Sequence, residues 1–162
     1  MKPYDSTEDT IKHIERVQYL ITTCRDKLFR RQYAHDESKL EDPEKAIFDE
    51  MTPKLKDSTY GSEEYKGFLA SMKPALDHHY ANNSHHPEHY PNGIDGMSLL
   101  DLLEMLCDWK AAGERHANGS IERSLEVNRE RFKISPQLQS VLENTARELD
   151  WLEPQQSVTS TN

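Results

Sequence analysis

Apolar residues recur at intervals of three and four along most of this chain, and no stretch keeps the two-residue alternation of a strand. Ser6-Thr7-Glu8-Asp9 carries N-cap and first-turn chemistry, and Ile11, Ile14, Val17, Leu20 and Ile21 follow it at helical spacing. The pattern predicts a first helix from about residue 7 to about residue 32, with Ile14 and Val17 facing a core. Pro43 can open a short helix over residues 43 to 51, stopped near Pro53. Ser62 is a capping signal for a helical stretch over 62 to 82, in which Pro74 predicts a break or kink. The segment PEHYPNGIDGM reads as a loop from its Pro, Asn and Gly content. From Ser98 to Gly113 the order Leu99, Leu100, Leu102, Leu103, Met105, Leu106, Trp109 is apolar on more than one side, as a central helix would be. A last helical region starts near Ser120, passes Leu125 and Phe132, and resumes at Ser135 through Leu138, Val141, Leu142 and Leu149. The expected fold class is therefore all-α, a single-domain helical bundle.

Composition narrows this picture. A chain of 162 residues suits one domain, expected over residues 1–152, with a flexible tail over 153–162. Hydrophobic residues at 35% still fill one helical core beside 30% charged residues. The net charge of -9 argues against an extended surface for neutralising nucleic-acid phosphates, while a small anionic substrate stays compatible if a bound cation supplies local positive charge. Cys24 and Cys107 are too few for a disulfide framework and read as buried thiols in a reducing compartment. No apolar run approaches the roughly 20 residues that cross a bilayer, and MKPYDSTEDT lacks the basic and apolar regions of a signal peptide. A soluble, cytoplasmic protein with no membrane partner is expected.

The chemistry concentrates in the histidines. Five of the eight, His78, His79, His85, His86 and His89, fall within twelve positions. Neutral imidazole suits zinc, iron, nickel or manganese, and carboxylates add harder oxygen donors. His35 and Asp36 are adjacent, so on a helix they point about 100° apart and reach one ion only beside that turn. Further ligands must then come from other helices: His13, His79 or a neighbour, and Asp108 are the candidates, converging inside a bundle. His89, next to Tyr90 and Pro91, reads as a loop histidine. Asp101, Glu104 and Asp108 share a face and read as a polar stripe or as carboxylates orienting ligand histidines. Asp108 is favoured as a ligand because Leu106, Cys107 and Trp109 around it imply burial. Trp109 and Tyr80 read as core aromatics.

The order His13, His35-Asp36, His78/His79, His85/His86, Asp108 resembles the H...HD...H...H...D signature of the HD-domain superfamily, whose members are mostly metal-dependent phosphohydrolases on an all-α fold. Lys39, three residues after Asp36, matches its HD-x-x-K variant. The strings HDESKL, YGSEEY, ALDHHYANNSHHPEHY, LLEMLCDWKAAGERH and SLEVNRERF look like those of a family of small bacterial and phage proteins of unknown function. The likeness runs from about residue 10 to about residue 146.

The resemblance implies a metal-dependent phosphohydrolase of the bacterial cytoplasm, phage-encoded in some cases, acting on a small phosphate ester or nucleotide. Its cofactor would be one or two divalent ions of Mn, Fe, Co, Ni, Zn or Mg. Metal ligands would come from His13, His35, Asp36, His79, His85 and Asp108, with His79, His85, His86 and Lys39 in catalytic roles. Lys39, Lys110, Arg115 and His116 are candidates for phosphate oxygens. An HD-type diiron oxygenase and a non-enzymatic, metal-stabilised binding protein are the alternatives, and homo-oligomerisation stays open. No Gly-rich phosphate loop, G-x-S-x-G or cysteine nucleophile context offers a different source of reactivity.

Overall fold

A computed structural model describes residues 4–57, 62–115 and 119–154. Among these the regular elements are all helical, so the fold is all-α. They are α1 (Thr7–Ala34), a 3-10 turn (Glu37–Leu40), α2 (Glu44–Asp57), α3 (Glu63–Asn82), 3-10 turns at Pro87–His89 and Gly93–Gly96, α4 (Leu99–Glu114), α5 (Ile121–Phe132) and α6 (Pro136–Glu148). Where one domain is expected over 1–152, backbone contacts group the chain into two units, Met1–His79 and Tyr80–Asn162. Of the expected tail over 153–162, residues 155–162 lie outside the described residues.

In the first unit α1 is longer than the pattern predicts and buries no residue. Ile14 and Val17, expected to face a core, are exposed, and so are Ile11, Leu20, Ile21 and Phe29. Periodicity reports that a helix has an apolar face; it does not report what covers it. Neither Pro53 nor Pro74 ends a helix here. Pro53 lies inside α2, which continues to Asp57, and Pro74 lies inside α3, which runs on to Asn82. Pro43 precedes α2, which starts at Glu44, and the 3-10 turn packs on α2. Glu44, Met72, Ala75 and His79 are buried here.

The second unit holds a closed apolar core. Leu102, Met105, Leu106 and Trp109 form an i, i+3, i+4, i+7 stripe on α4, and they meet Ile121 and Leu125 of α5, Ile134, and Leu142 and Ala146 of α6. Cys107 points away from that stripe and is exposed, as is Cys24 on α1; neither is the buried thiol expected. Trp109 stacks against Phe132 at 6.2 Å, in keeping with a core aromatic. Each helix of this unit starts on a serine whose side chain accepts a backbone N–H: Ser98 from Asp101, Ser120 from Arg123, Ser135 from Leu138. Gly119 allows the chain to pass the end of α4, since a Cβ there would lie 2.0 Å from the Gly113 carbonyl oxygen.

Candidate functional site

In the first unit the end of α1 sets up the chemistry. Helix α1 closes at its C-cap His35, and Asp36 adopts the left-handed conformation at φ 55°. That position after a helix is usually glycine, because a Cβ is disfavoured there. Asp tolerates it better than most residues, and here its carboxylate is used on both oxygens. Oδ2 accepts from Lys39 Nζ at 2.5 Å, and Oδ1 lies 3.3 Å from Nε2 of His79 in the last turns of α3. His35 Nε2 is 3.6 Å from Asp36 Oδ2.

The other face of His79 is fixed by Glu44, the first residue of α2. Glu44 is fully buried, and its Oε2 lies 2.9 Å from His79 Nδ1, while Oε1 lies 2.7 Å from Nδ1 of His78. Ser38 Oγ is 3.4 Å from His79 Nδ1. Burial alone pushes the Glu44 carboxyl up, but hydrogen bonds from His78, Ser38 and His79, with the charge of His79, hold it below the usual carboxylate range. With Nδ1 of His79 turned to Glu44, Nε2 faces the Asp36 oxygen. A neutral imidazole lone pair and a carboxylate oxygen at that separation repel unless a cation or a proton stands between them. A carboxylate held on one imidazole nitrogen, with the other nitrogen turned toward a second possible ligand, is the arrangement that orients metal-ligating histidines.

The second unit carries a parallel pair. His85 is buried, with Nδ1 3.3 Å from Oε1 of Glu104 on α4. The half-buried His86 packs its ring against His85 at 4.1 Å and Tyr80 at 5.1 Å. Asp108 is half-buried, one turn beyond Glu104. The segment bearing these histidines is tied down by the buried Asp101. Its carboxylate accepts from Ser84 Oγ at 2.7 Å, Tyr90 Oη at 3.0 Å, and Ser98 N and Oγ at 2.8 and 2.6 Å. His89 Nδ1 lies 2.8 Å from the Tyr80 carbonyl, so it serves the loop, as its setting suggests.

Several expected site residues stand elsewhere. His13 is exposed on α1, 22 positions before His35, and a straight helix separates such residues by about 33 Å along its axis. One ion held by both within a chain is excluded by that length. Lys110 is engaged with Glu114 at 2.8 Å, and Arg115 is exposed at the C-cap of α4. His116 lies outside the described residues. Glu44 and Ser38 were not singled out by sequence: DPEKAIF looks like an ordinary acidic helix start, and nothing local says its carboxylate is buried.

No curated protein and no solved structure matches this chain. One family model does, over residues 2–148, and so nearly from end to end: the chain belongs to DUF5662, a family of unknown function.

Proposed function

We propose that the chain is a metal-dependent phosphohydrolase acting on a small phosphorylated substrate, a nucleotide being the class the HD-type motif order favours. The observation that carries the metal is the series Glu44, His79, Asp36, in which Nδ1 of His79 faces Glu44 at 2.9 Å while Nε2 and Oδ1 of Asp36, both possible ligand atoms, stand 3.3 Å apart. Both are donors suited to borderline and hard divalent ions. Asp36 and His79 are ligands in this reading. His35 stands beside them in the same unit; His85 and Asp108, ligand candidates by the motif order, belong to the second unit.

A divalent ion held there would act as a Lewis acid at a phosphoryl oxygen and lower the pKa of bound water, to about 7 for a zinc-like ion. The chain's own residues do the rest. Glu44 holds the His79 tautomer and ring plane, and the left-handed turn at Asp36 aims its carboxylate. Lys39 is the cation beside that carboxylate and the best placed of the proposed phosphate-binding groups in this unit. The hydrolase part of the proposal rests on the resemblance, the metal part on the geometry.

The test is metal analysis of the purified protein, then phosphate release from a nucleotide panel with Mn, Co, Ni, Zn and Mg. Bound metal is expected, reduced in His79→Ala and in Asp36→Asn with the fold retained, together with turnover that chelation abolishes. A chain that binds none of these ions overturns the metal. Metal binding without release from any nucleotide or simple phosphate ester overturns the hydrolase.

A further inference from the structure

On α1, Ile14, Val17, Ile21, Cys24 and Leu28 are spaced three, four, three and four apart, the seam of a two-stranded coiled coil. Four of the five are exposed, Ile21 to 63%, and Leu28 is half-buried. Ile11 and Leu20, also exposed, widen the stripe. A helix of 28 residues that buries nothing gains little from its own unit.

Charge is distributed unevenly along the same helix. From residue 5 to 16 the acids Asp5, Glu8, Asp9 and Glu15 outnumber Lys12 and Arg16. From 25 to 31 the cations Arg25, Lys27, Arg30 and Arg31 outnumber Asp26. Two copies side by side in parallel would set like ends together, whereas antiparallel copies set the acidic end of each against the basic end of the other. A two-fold axis across α1 generates that arrangement from identical chains. One nearby register keeps Arg31 away from the apolar residues: Val17 faces the partner subunit's Ile21, Ile14 faces the partner subunit's Cys24, and Leu28 faces the partner subunit's Thr10. Shifting by one heptad puts Arg31 opposite Ile14.

We propose that α1 is the interface of an antiparallel homodimer, a second copy of this chain covering the Ile14–Leu28 stripe. In this register the two Cys24 residues stand about 15 Å apart along the axis, beyond disulfide reach. Sedimentation equilibrium of the full chain is expected to show a reversible dimer that dissociates more readily as salt rises. Val17→Asp with Ile21→Asp is expected to weaken association at least about tenfold. In Cys107→Ser protein, oxidation is expected to leave Cys24 uncrosslinked, and adding Ile14→Cys to give a covalent dimer. The cross-linking carries the test even if the aspartate variant loses helix. A chain that stays monomeric to its solubility limit, or a Cys24–Cys24 disulfide in Cys107→Ser protein, overturns the proposal.

Discussion

Oε2 of Glu44 lies 2.9 Å from Nδ1 of His79, and both side chains are buried. The pair joins the first residue of one helix to the last turns of the next, across 35 positions of sequence. Because Glu44 also holds His78 through its other oxygen, one carboxylate orients two adjacent imidazoles and is itself satisfied by them.

Glu44→Gln keeps the shape but exchanges an acceptor for an amide that also donates, so the Nδ1 proton of His79 is held less firmly. If His79 ligates metal, affinity should fall about 10- to 100-fold while the helical signal stays unchanged. Competition of zinc or manganese against a chromophoric chelator measures it. Unaltered affinity would make Glu44 a packing residue only.

The same carboxylate predicts a pH dependence in metal-free protein. Burial raises the Glu44 carboxyl, yet the hydrogen bonds from His78, Ser38 and His79 leave it below its usual range in the folded chain. A group whose folded value is depressed stabilises the fold fully above its unfolded value, and that contribution disappears as pH falls through the folded one. Thermal melts from neutral pH into the acid range should therefore show a loss of stability at and below the ordinary glutamate range that is smaller in Glu44→Gln. Superimposable pH profiles for the two proteins would contradict the assignment.

What could be read from sequence followed locality. The helices of the described residues were legible because capping residues and three-to-four periodicity are local signals, and Ser98, Ser120 and Ser135 cap where the pattern places them. Pro53 was over-read as a stop, since a helix can lose one hydrogen bond at proline and continue, as α3 also does through Pro74. The nearness of His35, Asp36 and His79 was partly legible through the motif order. Glu44 was not, because its burial depends on the turn at Asp36 and on α3 arriving over it. His13 entered the site by its place in the order, and only the length of α1 removes it.

Asp101 offers a stability test independent of metal. Its buried carboxylate accepts from Ser84, Tyr90 and Ser98, so it caps α4 and anchors the segment that carries His85 and His86. Asp101→Ala removes a cap and strands donors around it, which should cost roughly 2–4 kcal/mol. Asp101→Asn, retaining one acceptor, should fall between. Urea denaturation followed by fluorescence of Trp109 and Trp151 reads both, and a loss under about 0.5 kcal/mol for alanine would show that the network does not support the fold.

His13→Ala separates motif order from geometry. The imidazole sits on an exposed face of α1, and the rise of an α-helix carries it about 33 Å from His35. Metal content per chain should therefore be unchanged in His13→Ala, while Asp36→Asn and His79→Ala lower it. Stability should shift by no more than about 0.5 kcal/mol, as for other exposed positions without special contacts. Loss of metal from His13→Ala at full helicity would mean that α1 does not hold its straight course when the ion is bound, and the ligand set would then have to include the start of the helix.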